Sequence, residues 1–349
     1  MRATLASFVT FSLLTRPSFG AIVDYALDIR NVRVAPDGFE RSIVSANGIV
    51  PGTFIHANKG DTLRINVTNS LTDSTMRRAT TIHWHGLFQN TTAYQDGPAF
   101  VTQCPISQNQ SYTYEIPLGE QTGTFWYHGH ISSQYVDGLR GALVVYDPED
   151  PHSALYDVDD ENTVIVLEDW YHTPAPQLET TMFSTDNVDL MTPVPDSGLI
   201  NGRGRYVNGT RVDRTVINVQ PNRRYRFRVI NTSAITSFKF AIEGHRFTII
   251  EADGIPHEPL VVDNFDIYAG QRYSIIVETN QTVANYWVAA PMDVFGSGTN
   301  PNLDTTNVFA VLRYEGASDA EPTTEPLVPF GTALVEENLH AVTRPRMFK

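Results

Sequence analysis

Four of the ten histidines fall into two His-x-His pairs, His83-Trp84-His85 and His128-Gly129-His130. On a β-strand, residues i and i+2 point to the same face, so each pair presents two imidazoles side by side. Neutral imidazole is a ligand for copper, zinc, iron and nickel. A lone pair of this kind is more often structural, whereas two pairs in one chain point to a metal centre. The flanking residues, Thr80-Thr81-Ile82 and Phe125-Trp126-Tyr127, are apolar or aromatic enough to set both pairs on buried or cleft-lining strands, where burial favours the neutral ligand form.

The strands that must carry these pairs come from an all-β chain with an internal repeat of about 160 residues. Asn47-Gly48 recurs as Asn208-Gly209, and Gly60 to Asn69 recurs as Asn222 to Asn231 with an offset of 162. Leu63, Ile65 and Val67 in the first copy, and Tyr225, Phe227 and Val229 in the second, have the period-two pattern of a half-buried strand. Further strands are predicted at Thr124 to Tyr127, Gly141 to Tyr146, Thr163 to Leu167, Phe247 to Glu251, Tyr273 to Glu278 and Tyr286 to Ala289, separated by Gly, Pro, Asn and Asp. The spacing predicts two antiparallel β-sandwiches, at 21–150 and 160–315, joined by an acidic loop around Asp157 to Asn162. From Gly316 to Pro329 the chain is rich in Pro, Thr and Glu and reads as a linker.

Lys and Arg number 25 against 39 Asp and Glu, a net charge of −14 without a basic cluster, which argues against nucleic-acid binding. Residues 1–20 read as a signal peptide, with Arg2, an apolar run from Leu5 to Leu14 and Ser18-Phe19-Gly20 before a cleavage site at Ala21. The run is roughly ten residues where a membrane span needs about twenty, so a secreted, extracellular protein is expected and a membrane anchor is not. Six sequons, at Asn66, Asn90, Asn109, Asn208, Asn231 and Asn280, are candidate glycosylation sites.

His83-Trp84-His85-Gly86-Leu87-Phe88-Gln89 and Trp126-Tyr127-His128-Gly129-His130, continuing through Gln134-Tyr135 and Asp137 to Gly141, closely resemble the first two copper motifs of fungal, basidiomycete-type laccases. Asp96-Gly97-Pro98, Gln103-Cys104-Pro105-Ile106, Asp169-Trp170-Tyr171-His172, Arg224 to Arg228 and Gln271-Arg272-Tyr273 extend the resemblance over about residues 21 to 340. The resemblance implies tandem cupredoxin-like Greek-key β-sandwiches, two of the three found in this family of multicopper oxidases. It implies copper as cofactor, with His83 on a type 2 copper, His85 and His128 on one type 3 copper and His130 on the other. Phenols and aromatic amines are then the electron donors and dioxygen the acceptor, reduced by four electrons to water. Asp96 matches a family acid that could relay protons, and an Asp-Gly-Pro turn is the equally weighted alternative.

The chain also departs from the family pattern. The His-Pro-x-His-x-His and His-Cys-His motifs of the third domain are absent, which leaves half of the trinuclear histidines and none of the type 1 site. Two-domain laccases also carry a His-Cys-His motif. Leu339-His340-Ala341 resembles the start of a third domain, so the chain is expected to be truncated about thirty residues into a third repeat, with residues 316–349 a linker and an aborted start. The resemblance pairs Cys104 with a cysteine near the C-terminus that is missing here. A second family disulfide corresponds to Val136 and Ala234, and Gly129 stands where Ser is expected and should loosen its strand. Ile235 lies where the family often places a polar residue near the phenol pocket. His245 reads as a remnant or a buried hydrogen-bonding residue, and His56, His152, His172, His257 and His340 as loop or packing residues.

Two functions follow. One is a laccase, with ascorbate oxidase and ferroxidase as minor variants, completed by a missing third domain. The other is a noncatalytic secreted copper-binding glycoprotein. In both, the first-domain face bearing the histidines lacks its family partner and is expected to promote self-association.

Overall fold

Alternation of apolar and polar residues sorts the first eight strands into two facing sheets. They are β1 (Ile22–Val34), β2 (Arg41–Ala46), β3 (Ile55–Asn58), β4 (Thr62–Asn69), β5 (Ile82–His85), β6 (Ser111–Pro117), β7 (Gly123–Gly129) and β8 (Arg140–Tyr146). One sheet has the order β2-β1-β4-β6 and the other β3-β8-β7-β5. Leu63, Ile65, Val67 and Tyr114 from the first meet Ile82, Trp84, Phe125, Tyr127 and Leu143 from the second in one core. The computed structural model describes residues 20–295, 298–326 and 330–342; the predicted signal peptide and the end of the chain after Val342 fall outside these, save for Gly20.

The second sandwich follows the same plan on a larger scale. Its strands are β9 (Val164–Trp170), β10 (Ser197–Ile200), β11 (Val216–Val219), β12 (Arg224–Asn231), β13 (Thr236–Ile242), β14 (Phe247–Ala252), β15 (Ile255–Val262), β16 (Phe265–Ile267), β17 (Arg272–Glu278), β18 (Asn285–Ala289), β19 (Met292–Val294) and β20 (Phe309–Tyr314), with one short helix, α1 (Ala175–Met182), between β9 and β10. The sheets run β10-β9-β12-β17-β14-β15 and β11-β20-β18-β13-β16, with β19 also paired to β13. The chain after β20 folds back along this unit: Trp287 Nε1 donates to Thr324 O, and Ala333 and Ala341 bridge to Asn264 and His257.

The strand repeat holds in three dimensions. β4 pairs parallel to β1 and antiparallel to β6, as β12 pairs parallel to β9 and antiparallel to β17. The expectation of antiparallel sandwiches is corrected at four strand pairs: β1·β4, β3·β8, β9·β12 and β11·β20 are parallel. Side-chain alternation reports which face is buried and says nothing of partner direction, which the Greek-key crossovers set.

A second correction concerns the turn. The counterpart of Asn47-Gly48 is Asn201-Gly202, which follows β10 as Asn47-Gly48 follows β2. Both asparagines are left-handed, φ 60° and 49°, as are their glycines. Each asparagine amide also stands in for a strand. Asn47 accepts from Asp28 N at 2.8 Å and donates to Ala26 O at 3.0 Å, and Asn201 accepts from Val166 N at 2.6 Å and donates to Val164 O at 3.0 Å.

The repeats differ in their outer faces. On β4 the alternate residues Thr62, Arg64, Asn66 and Thr68 are half-buried, but on β12 Arg226 and Arg228 are 6% and 1% exposed. That face of β12 packs on the first sandwich: Trp126, Ala142 and Val144 meet Val164, Val166 and Ile230 in a separate apolar cluster. Buried guanidinium groups need charged partners. Arg226 is paired with Glu251 and Asp150, and Arg228 with Asp159 at 2.7 Å. Burial works against the Arg226 charge, and these carboxylates more than offset it, holding the group above its usual range.

Replacing Arg226 by Met takes the nearest cation away from Glu251 and Asp150 in this interface, and urea unfolding of the full chain should show a loss of about 3 kcal/mol. The fully buried Glu168 on β9 behaves differently: burial, against the opposing pull of Arg140, raises it to about 7 from 4.5. The folded state therefore binds a proton that the unfolded chain releases above pH 4.5. Stability from this group is complete below that pH and falls by on the order of 3 kcal/mol as pH rises through 7. Glu168→Gln should flatten that part of the profile when melting temperature is followed from pH 4.5 to 8.

Candidate metal centre

Trp84 and Tyr127 point into the first core, so strand alternation turns His83, His85 and His128 to the outer face of their sheet. β5 is the edge strand there. Its antiparallel register sets Ile82 opposite Gly129, His83 opposite His128 and Trp84 opposite Tyr127. Two sequence-distant pairs thus become one cluster. The His83 ring centroid lies 5.6 Å from His85, 5.2 Å from His128 and 5.4 Å from His130. Ligand atoms of His83, His85 and His128 all lie within 4.8 Å of one another. His130, just beyond β7, is more exposed, and its ring lies 5.6 Å from His128.

The imidazoles are prepared as ligands. His83 Nδ1 contacts Asp96 O at 2.9 Å and His128 Nδ1 contacts Gly129 O at 3.1 Å. A carbonyl only accepts, so Nδ1–H donates in both rings and Nε2 keeps its lone pair for a metal. Burial lowers His83 and His128 below the usual histidine value, and burial with the nearby Arg272 charge takes His85 to about 3. Neutral, converging nitrogens, with the tautomer fixed at His83 and His128, fit a late first-row metal such as copper.

Asp96 stands in the turn that one of its two sequence readings expects. It caps a short 3-10 turn, Ala93–Gln95, and Gly97 follows with φ 96°. A Cβ on Gly97 would fall 1.8 Å from Ile82 O, so only glycine lets this turn lie against β5. The turn delivers the Asp96 carbonyl to His83 and also leaves its carboxylate Oδ1 3.4 Å from the same nitrogen, partly open to solvent.

Sequence reasoning missed three contributors. The Trp126 ring lies 4.6 Å from His85 and 4.4 Å from His128. From the second sandwich, Gly270 (φ 84°) lies over His85, where a Cβ would sit 3.2 Å from Nε2. Arg272 is anchored to Thr124 O at 3.0 Å, Gly270 O at 2.9 Å and Asp253 at 3.1 Å. Gln271-Arg272-Tyr273 carried a motif signal, but only the fold shows that it reaches this centre.

The remaining sequence candidates have other surroundings. His245 is buried, with Nε2 2.7 Å from Tyr314 Oη and Nδ1 2.6 Å from Glu243 O. His172 packs the two sandwiches together, contacting Asp37 at 2.8 Å and stacking on Phe39. Cys104 is exposed and outside the histidine group among the described residues. Val136 and Ala234 lie in one apolar cluster with Tyr135, Tyr171, Ala175 and Leu178. Ile235 lines a neighbouring cleft of about 220 Å³ with Tyr135, Val136 and Pro193. At Gly129 a Cβ would lie 2.9 Å from Gln134 Oε1, so the strand is closely packed there and glycine serves that packing. Asn231 is corrected as a glycan acceptor: it is fully buried, and its amide donates to Thr236 O and Ile267 O. Asn90, Asn109, Asn208 and Asn280 are exposed and Asn66 half-buried.

Comparison with known proteins agrees with this geometry. Two family profiles described as multicopper oxidase match residues 28–150 and 161–317. Laccase-4 of Thanatephorus cucumeris is 70% identical over 99% of this chain and 65% of its own length. Laccase-2 of Agaricus bisporus is 51% identical over 92% of this chain and 60% of its own. Among solved structures, Fet3p, a multicopper oxidase that functions in iron import, is similar with a TM-score of 0.80, 28% identity and coverage of 94% of this chain and 59% of that one. The laccase from Botrytis aclada is similar with a TM-score of 0.77, 35% identity and coverage of 89% and 56%. The chain therefore spans less than two thirds of the length of these relatives. With paired imidazoles on cupredoxin-like sandwiches and these matches along most of its length, the chain belongs to the multicopper oxidase family.

Proposed function

We propose that this chain serves a laccase: one-electron oxidation of phenols and aromatic amines coupled to four-electron reduction of dioxygen to two waters. The observation that carries the reading is the convergence of His83, His85 and His128 on one outer sheet face, with His130 beside them just beyond β7 and Nε2 of His83 and His128 left free. In this assignment His83 holds a type 2 copper, His85 and His128 one type 3 copper, and His130 the other. Bound copper supplies one-electron redox chemistry and a site for dioxygen. The chain's own residues orient that site: Asp96 fixes the His83 tautomer through its carbonyl, and passing protons in from solvent is assigned to its carboxylate, a reading supported by its partial exposure beside His83. Trp126, Gly270 and Arg272 close one side of the cluster against water.

The other copper ligands, and the type 1 site that takes electrons from phenol, are assigned to a third cupredoxin unit, in the same polypeptide or another. Phe100 and Val101, each 81% exposed, and Tyr94 flank the histidine face, and Ala99 N donates to His130 O. Such a unit covers this surface, or copies of the chain associate through it. Identity to laccases over nearly the whole chain favours the oxidase over a noncatalytic copper-binding glycoprotein. Secretion is proposed from the first twenty residues and the exposed sequons; among the described residues, no helix is long and apolar enough to cross a membrane.

With the third unit present in cis or added in trans, the copper-loaded protein should show blue copper–thiolate absorption and oxidise four phenols per dioxygen consumed. His128→Gln should abolish dioxygen uptake. A yield of two phenols per dioxygen with release of peroxide would overturn the four-electron reading. For the chain alone, light scattering at micromolar concentration should show association that Phe100→Ser with Val101→Ser reduces, and a wild-type monomer would refute that use of the face.

A further inference from the structure

Glu179 sits on α1 of the second sandwich, yet its carboxylate is engaged almost wholly with the first. Oε1 accepts from Ser133 Oγ at 2.6 Å and Ser133 N at 3.2 Å, and also from Ser132 Oγ; Oε2 accepts from Arg77 Nη2 at 2.8 Å. Ser132 and Ser133 directly follow His130-Ile131, and Ser132 has a left-handed φ of 54°, a conformation a non-glycine residue keeps only when its surroundings hold it. On the other side, Arg77 O accepts from Gln134 Nε2 at 3.1 Å, and Gln134 Oε1 accepts from Thr80 Oγ1 at 2.7 Å, three residues before His83. One carboxylate thus ties the segment entering the first histidine pair to the segment leaving the second.

We infer that Glu179 is a positioning residue for the metal centre: from the second sandwich it clamps the Ser132-Ser133 loop and so holds His130, the most exposed of the four imidazoles, within reach of His83 and His128. This rests on the copper reading of His130 given above. The backbone of His130 is pinned from its own sandwich by Thr81 O, at 3.0 Å from His130 N, and by Ala99 N, at 3.2 Å from its carbonyl. The chain beyond it is steered by the clamp. Partial burial opposes the charge on Glu179, but Ser132, Ser133 and Arg77 lower it to about 2, so the clamp stays ionised across the acid range.

The test is a double-mutant cycle on the full chain, with copper(II) affinity measured by competition with a chromogenic chelator. His130→Gln and Glu179→Ala should each weaken binding by about tenfold, the lower end for groups that orient a ligand. Their combination should be no weaker than His130→Gln alone. Glu179→Gln, which keeps an acceptor for the serines, should recover part of the loss. Electron paramagnetic resonance of the loaded Glu179→Ala protein should show one fewer coupled imidazole nitrogen. An equal loss from Glu179→Ala in the wild-type and His130→Gln backgrounds would mean general destabilisation and overturn the inference, as would unchanged affinity. If His130→Gln alone leaves affinity unchanged, the copper reading of His130 fails and the clamp with it. Should Glu179→Ala fail to fold, Ser132→Ala with Ser133→Ala removes the same clamp from the loop side and is read identically.

Discussion

Thr124 gives all three of its polar groups to the other sandwich. Its N–H donates to Glu251 at 2.9 Å, its hydroxyl accepts from Arg228 at 2.9 Å and its carbonyl accepts from Arg272 at 3.0 Å. Four residues further along β7 stands His128. The position of the strand that carries His128 is therefore set by partners in both units, through charged groups that have no alternative once buried. Arg272 links this seam to the cluster directly, since Gly270, whose carbonyl it binds, lies over His85. Packing between units and geometry at the site are one problem with one solution.

The electrostatics of the cluster follow from the same closure. The chain carries a net charge of −14, yet among the described residues the groups around the imidazoles include backbone carbonyls, the Trp126 indole, the Tyr135 ring, the Arg272 guanidinium and the Asp96 carboxylate. Carbonyls fix tautomers without adding charge, and burial disfavours protonation. A metal ion bound there would meet nitrogen lone pairs without first displacing protons from them. The Asp96 carboxylate lies beside His83 and is partly open to solvent.

Much of this was legible in the sequence because period-two patterning and His-x-His spacing are local. Leu63, Ile65 and Val67, and their counterparts Tyr225, Phe227 and Val229, are buried as their alternation implies. The histidines meet because strand register is regular. What could not be read depends on chain direction and on contacts between units. The parallel pairing of β4 with β1 leaves no trace in composition. Asn201 was hidden behind the better-spaced Asn208, since only the amide's bonds to β9 reveal which asparagine closes the turn. Asn231 carries a perfect sequon, yet its side chain is consumed inside the protein, as Asn69 is in the first repeat. Glu179 sits on a short helix in the long β9–β10 connection, and nothing in the local sequence marks it as reaching the His130 loop.

The two-sided burial of β12 has a consequence for modularity. Tandem repeats invite the view that either copy could be excised, duplicated or exchanged as a cassette. Here β4 and β12 share the pattern of strand pairing and of inward apolar residues, but their outer surfaces differ. A second sandwich grafted elsewhere would carry two guanidinium groups and the apolar patch of Val164, Val166 and Ile230 to any new neighbour, which would have to offer matching acceptors in the same places. The difference between these two strand faces makes the second sandwich a dedicated partner of the first, so the pair is the unit that can be moved intact.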